Sequence, residues 1–412
     1  MQRVSRSGRR GIGLREVSDR GARRPRTVVV LACLGAATVT CAVQGLAPAL
    51  PAMQHALRLS DAQVALLTTA YLLPSVILGI PAGTLTQRTG RRVMFAGSLS
   101  VFGLGGLVQI VVHTLPAILA VRVVQGACFG AILALTITMI GDVLRDNAAQ
   151  ASGQGFRVVA MTGGEALFPI LTGLLVGVTW YAPFGIQLIC LLIGIIGWFA
   201  IPPDRPGRAR APTMRWHHVR AAMADPAILA LQLLAFMRFF FKFAMITYYP
   251  ILAVNERGLS AATVGIVMGL SSLLGSLGAL LAGGVVRRVA PSRVIGVCVA
   301  VIGLSLLTVA TVPTSSALVG GLLVYGVADG IYSVSHNVLV TQTDSIGGRA
   351  VFVAFTGTVR NLGKLVAPVA FGLVTLVLPL AGVFAVWGAI GLAVAFSAAH
   401  LRPLDTPGTD RD

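Results

Sequence analysis

Taken for apolar and polar positions alone, the chain is a series of apolar runs of about 20 residues separated by short polar gaps. That is the length an α-helix needs to cross the hydrocarbon core of a bilayer. The runs fall at about 27–47, 63–83, 93–112, 116–141, 155–178 and 183–201, and again at about 227–253, 263–286, 294–312, 317–340, 351–378 and 382–399. Between the two sets lies a stretch of different composition, 202–225, with Pro202, Pro203, Pro206 and Pro212, five arginines and the pair His217-His218. It reads as a polar linker, part of which, about 214–224, is expected to lie as an interfacial helix. The pattern predicts an all-α membrane protein of twelve helices in two six-helix bundles, 27–201 and 226–401, with tails at 1–26 and 402–412.

The gaps orient the spans. Nine arginines in the first 26 residues, then Arg88, Arg91, Arg92, Arg145, the linker arginines, Arg287, Arg288, Arg293, Arg349 and Arg402 all fall on one side of a twelve-span count. The other side holds only His55, Arg58, Asp61, His113, Glu256 and Arg257. Short loops rich in Lys and Arg are retained in the cytoplasm, so both termini are expected there and the protein in the cell membrane. Residues 48–62 read as an outer loop, with Ser60 as the N-cap of the second span.

Composition agrees. The 412 residues are 56% hydrophobic and 11% charged, which excludes an ordinary soluble domain. The formal charge of +18 argues for no nucleic-acid partner, because most arginines sit where topology and anionic lipid account for them. The five cysteines lie inside apolar runs with no metal-ligand spacing, so neither disulfides nor a metal is expected. No phosphate-cradling or nucleophile motif is present, and Phe102-Gly103-Leu104-Gly105-Gly106 lies within a span, where glycines serve helix packing. The sequence therefore indicates neither an enzyme nor a cofactor. Only two of the 32 basic residues are lysine, Lys242 and Lys364, and both fall inside spans.

The two halves repeat at an offset of about 200 residues. Gly83-x-Leu85-x-x-Arg88 returns as Gly283-x-Val285-x-x-Arg288, Gly126-x-x-x-Gly130 as Gly326-x-x-x-Gly330, and Gly164-x-x-x-x-Pro169-x-x-x-Gly173 as Gly363-x-x-x-x-Pro368-x-x-x-Gly372. In the last of these, Glu165 aligns with Lys364.

Between the second and third runs the chain reads G-I-P-A-G-T-L-T-Q-R-T-G-R-R over residues 79–92. This resembles the loop signature of the major facilitator superfamily, G-x-L-x-D-R-x-G-R-[RK], matched by Gly83, Leu85, Arg88, Gly90, Arg91 and Arg92, with Gln87 where the family usually has Asp. Arg122 and Gly126 resemble its fourth-span motif R-x-x-x-G. Pro169 and Gly173 resemble the end of the fifth-span signature of the drug:proton antiporter branch, although Phe168 and Thr172 stand where glycines are expected. The resemblance implies two pseudo-symmetric bundles around a midplane cavity that opens alternately to each side, over nearly the whole chain. It makes Gly83, Arg88, Gly90, Arg91 and Arg92 a gating loop and associates Arg122 with proton-coupled conformational change.

An ionisable group inside a bilayer is costly and asks for a role. Near mid-depth lie Glu165, Arg238, Lys242, Asp329, Arg360 and Lys364. Arg238 and Lys242, and likewise Arg360 and Lys364, are four apart and share a helix face, so each like-charged pair needs a counter-ion, and Asp329 is the natural one. Glu165 reads as a lone carboxylate whose proton affinity changes as a cavity opens, which is what proton coupling requires. With Asp329 and Arg122 it forms the proton-coupling set; Arg238, Lys242, Lys364, Arg360, Gln44 and His336 form the substrate-binding set. Against this stand structural alternatives: charges that neutralise one another, a hydrogen-bonded Glu165, a packed His336, and an Arg122 that snorkels to the outer interface. The expected partners are a small-molecule substrate, protons and the lipid bilayer. The first reading is proton-coupled efflux of a small amphipathic compound by an antiporter. The alternatives are transport of an organic anion on the midplane Arg and Lys, and a receptor or scaffold that does not transport.

Overall fold

A computed structural model describes residues 13–144, 146–203, 224–343 and 349–405. The expectations for residues 1–12, for most of the linker with His217-His218 and its interfacial helix, and for 406–412 lie outside them, as do the side chain of Gln87 and those of the residues around Gly83. Among the described residues every regular element is helical. The twelve spans are the part of Gly13–Thr38 from Arg26 onward with its continuation, Asp61–Thr89, Arg91–Val111, Leu115–Val143, Asn147–Val176, Ala182–Gln187 running into Leu188–Ala200, Pro226–Ile251, Ala261–Val286, Pro291–Thr311, Ser315–Gln342, Arg349–Val374 and Leu380–Ala395. All but the eleventh, which carries Arg360 and Lys364, are apolar enough to cross a bilayer by composition. Large apolar side chains such as Phe199, Leu280 and Val377 point outward, as a lipid-facing surface requires.

Two of the three internal repeats turn out to be helix crossings, while a Cβ on Gly283 of the remaining one would meet nothing within 4 Å. A Cβ on Gly126 would strike the backbone carbonyl of Tyr71, and one on Gly326 that of Ser271, so glycine lets the fourth span lie on the second and the tenth on the eighth. Gly164 faces the Ala37 carbonyl of the first span and Gly363 the Phe236 carbonyl of the seventh in the same way. Backbones approach this closely only where side chains are absent, and in lipid such packing supplies much of the helix association.

Two local features differ from the reading of the sequence. Residues 48–57 are not a loop: after Thr38 the first span passes through a 3₁₀ segment, Val39–Ala42, a turn, and Ala47–Ala49, then continues as a half-buried helix, Leu50–Leu57. Ser60 does cap the second span, accepting from Gln63 N at 3.3 Å while its own N–H meets Gln63 Oε1 at 2.9 Å. The arginine-rich loop is also shorter than expected. The second span runs to Thr89 and the third starts at Arg91, leaving Gly90 alone as the joint at φ 88° and ψ 151°, a conformation open to glycine only. Arg91 and Arg92 thus sit at a helix N-terminus, where the macrodipole disfavours cations. Their partners offset this: Arg91 Nη1 meets Asp142 Oδ2 at 2.6 Å and Arg92 lies 4.5 Å from the Trp198 ring.

The halves share one apolar core on the side away from the arginines, where Met53, Val64 and Leu67 meet Met245, Tyr248, Val267 and Phe371. Towards the arginine-rich side each half keeps a core of its own. Hydrogen bonds fasten the shared side. His55 Nε2 lies 3.0 Å from Asn255 Oδ1, Asn255 Nδ2 donates to Gln54 Oε1 at 2.9 Å, and Thr247 lies over Thr68. Asn255 sits in a π-helical turn, Leu252–Glu256, the kind of local distortion that recurs at functional positions. The two halves are thus closed against one another on the side away from the arginines.

Gly90→Ala should destabilise the protein by about 1–3 kcal/mol because alanine cannot hold that backbone without strain. Gly97→Ala, where a Cβ meets nothing within 4 Å, should not lower stability. Thermal unfolding of both variants in detergent checks this; equal melting temperatures would refute it. Asn255→Ala should loosen this latch between the halves. Thr68→Cys, buried beneath Thr247, should then react with a membrane-impermeant thiol reagent added on the side away from the arginines, and labelling no faster than in the Asn255 parent would contradict the latch.

Candidate functional site

A cavity of about 210 Å³ lies between the halves, lined from the first, fifth, seventh, eighth and tenth spans. Gln44 enters it from the irregular stretch of the first span, and Gln44 Nε2 donates to Ser272 Oγ of the other half at 3.1 Å. Arg238 and Lys242, one turn apart on the seventh span, both line it, as do Glu165 from the fifth and Asp329 from the tenth. Met245, Ile246, Met268 and Leu322 form its apolar part.

The charges are sorted by partner. Arg238 grips Asp329 with two bonds, Nε to Oδ1 at 2.6 Å and Nη2 to Oδ2 at 3.0 Å, the forked geometry that makes guanidinium–carboxylate pairs strong. Those side chains are 11% and 13% exposed. Lys242 Nζ meets Glu165 Oε2 at 3.2 Å, with 21% and 24% of the side chains exposed. Glu165 is therefore not a lone carboxylate, and Asp329 does not serve both seventh-span cations. The spacing along one helix could not reveal that the second counter-ion comes from the other half. Of the three ion pairs between described side chains, this is the one that joins the halves.

Arg360 and Lys364 stand beside the cavity rather than in its wall. Arg360 Nη2 donates to Asn337 Oδ1 at 2.6 Å and to His336 Nδ1 at 3.1 Å, and Lys364 Nζ to Asn361 Oδ1 at 3.0 Å. Neither has a carboxylate partner among the described residues, and both rest on the Phe239 ring, at 5.9 Å and 4.9 Å, with Arg238 at 4.9 Å. Three cations around one ring are held partly by its π face. The cluster thus carries four cations, Arg238, Lys242, Arg360 and Lys364, against two carboxylates, Glu165 and Asp329.

Two expected residues lie elsewhere. His336 is buried outside the cavity wall. Its Nε2 lies 3.0 Å from the Leu231 carbonyl, to which it can only donate, leaving Nδ1 to accept from Arg360. Both ring nitrogens are used, so His336 braces Arg360. Arg122 is 2% exposed and does not snorkel. Its Nη1 donates to the Ala42 carbonyl at 2.5 Å, where the helical ladder of the first span breaks, so it supports the irregular stretch that presents Gln44. The hairpin arginines lie at the helix ends, remote from the cavity.

The sequence reading missed Tyr325. It lines the cavity, is 5% exposed, and its hydroxyl has no hydrogen-bond partner among the described residues. A buried hydroxyl without a partner is costly, so a bound molecule that accepted from it would gain. The signal was present: Tyr325 precedes Asp329 by four and shares its helix face. The latch of Gln54, His55 and Asn255 left no such signal, since single polar residues in apparent loops are common.

Residues 32–368 match the sequence model of the Major Facilitator Superfamily. Among curated proteins, the chain is 34% identical over 145 residues to the bacillibactin exporter of Bacillus subtilis, a match covering 34% of this chain and 36% of that one. The matched stretch thus spans about a third of that relative's length, and of the next two relatives less. It is 25% identical over 317 residues to the 3-(3-hydroxy-phenyl)propionate transporter of Escherichia coli, covering 72% of this chain and 75% of that one. The fold superposes on the solved nucleoside transporter NupG with a TM-score of 0.73 at 14% identity, over 92% of this chain and 98% of that one. With a family match over most of its length and twelve helices in two related halves, the chain belongs to the Major Facilitator Superfamily of membrane transporters.

Proposed function

We propose that the protein is a secondary active carrier of small organic anions, with its arginine-rich face in the cytoplasm and with proton binding at Glu165 linked to substrate binding at Lys242. The observation that carries this reading is the ion pair between those two residues, at the cavity wall and between the halves. While Glu165 is charged it occupies Lys242. A proton on Glu165 removes the charge, loosens the bond between the halves and leaves the ammonium for a substrate carboxylate. Anion and proton then favour one another's binding, and reciprocity of linkage makes them travel together. Tyr325 supplies a donor beside the site, Arg360 and Lys364 supply positive field, and the methionine and leucine lining suits an apolar body. The 3-(3-hydroxy-phenyl)propionate transporter, matched over three quarters of its length, supports an aromatic carboxylate as the class to try first.

Efflux of an uncharged or cationic amphipathic compound is the second reading. The apolar lining Met245, Ile246 and Met268 and the likeness to the bacillibactin exporter favour it. It needs Glu165 to be reached by the substrate itself, so proton and substrate would compete.

The sign of that linkage separates the readings. In proteoliposomes with an acid exterior, the wild type should accumulate an aromatic carboxylate, and binding should strengthen as pH falls. Glu165→Gln, a fixed mimic of the protonated form, should bind the anion with no pH dependence and lose gradient-driven accumulation while retaining exchange. Lys242→Ala should weaken anion binding about tenfold or more, the scale of a bond to a charged group. Accumulation that survives Glu165→Gln intact, or a wild type that takes up only cationic dyes, would overturn the proposal.

A further inference from the structure

On the flank of the first half, the second and third spans diverge from their hairpin and the fourth closes the gap from behind. The result is a groove of about 610 Å³, much larger than the central cavity and lying apart from it. Leu78 and Leu85 form one wall, Val93 and Val101 the other, and the small side chains of Ala127 and Ala131 the floor. Those four wall residues are all substantially exposed. Gly97 also lines the groove, and a Cβ there would meet nothing within 4 Å, so the space is open down to the backbone.

Length, lining and charge point to one occupant. From Thr89 to Leu78 the groove follows eleven residues of helix, about 16 Å at about 1.5 Å per residue. Half the hydrocarbon thickness of a bilayer is about 15 Å, so the groove is one leaflet deep. Its described lining is mostly apolar, with Ser98 and Thr89 the polar members besides Arg88, which stands at its end in the last turn of the second span. The three arginines of the hairpin divide their partners: Arg91 holds Asp142, Arg92 covers Trp198, and Arg88, exposed and without a carboxylate among the described residues, stands at the mouth of the groove. An apolar channel of acyl-chain length with a guanidinium at headgroup level matches a phospholipid in both parts. Arginine also fits phosphate oxygens through two parallel bonds.

We propose that this groove is a binding site for an anionic phospholipid of the leaflet on the arginine-rich side, with one acyl chain between the second and third spans and its phosphate on Arg88. The bound lipid fills a space that the helices leave open and holds the hairpin around Gly90, joining the arginine motif to the membrane surface. The inference is independent of the transported substrate, because the groove and the cavity share no lining residue.

Native mass spectrometry of the full chain released from detergent, titrated with phosphatidylglycerol or phosphatidylcholine of identical chains, tests it. One phosphatidylglycerol should be retained in preference to phosphatidylcholine. Arg88→Gln should reduce that preference about fivefold, the scale of one cation at an anionic membrane surface. Gly97→Leu, whose Cβ meets nothing within 4 Å and whose side chain extends into the groove, should remove the retained lipid of either kind while the melting temperature in detergent does not fall. Equal retention of the two lipids by the wild type, or an unchanged lipid count in a folded Gly97→Leu, overturns the proposal. If Arg88→Gln does not fold, the wild-type preference and Gly97→Leu still decide it.

Discussion

A charge at the centre of a bilayer must be paired, hydrated or neutralised, and this molecule's midplane is arranged around that constraint. The bond from Lys242 to Glu165 is its most consequential product. Each half alone would leave one of those charges exposed to a low-dielectric interior, and removing one member of such a pair costs more than the pair contributes. The two bundles therefore meet not only through an apolar core on the side away from the arginines but through an electrostatic contact at the cavity itself. Whatever changes the charge on either partner changes how firmly the halves are joined.

The internal symmetry places this contact. Glu165 and Lys364 occupy equivalent positions, each four residues before a proline, Pro169 or Pro368. A proline inside a helix cannot donate to the carbonyl four residues back, so the backbone is released at the residue that bears the charge. The preceding glycines, Gly164 and Gly363, bring these helices against the first and seventh spans. The fold thus carries one device twice, a close crossing followed by an ionisable group and a broken ladder. It has opposite charges in the two halves, and both lie near Lys242.

Much of this was legible in the sequence because membrane helices obey coarse rules. Span number follows from run length, and the repeated glycines marked the crossings at Gly126 and Gly326. Asp329 was recognisable as a counter-ion because charge balance within one half demanded it. What escaped was anything decided between elements. The Lys242–Glu165 contact needs the relative placement of the two halves, which no periodicity encodes. Arg122 looked shallow enough to reach the interface, but the break after Thr38 turns a carbonyl towards it, and a helix break hidden in an apolar run leaves no compositional trace. The hairpin seemed a loop because glycine and arginine are loop residues, whereas Gly90 alone makes the turn and the arginines belong to the helix ends.

The choice of cation at each pair fits the work the pair must do. Arg238 and Asp329 belong to the same half and are joined by a rigid fork of two bonds, among the least exposed charges in the cavity wall. Arginine holds its proton under all ordinary conditions and loses little freedom in that geometry, so the pair suits a fixed brace. Lysine presents a compact charge on a flexible stem, and Lys242 makes a single, longer contact with a partner about twice as exposed. Such a pair can be exchanged for another anion without dismantling a fork. A chain that writes thirty of its basic residues as arginine and keeps both lysines beside this cavity has placed the less rigidly held kind of cation at the contact between the two halves. The arrangement separates a forked, less exposed ion pair within the second half from a single, longer and more exposed one that links that half to the first.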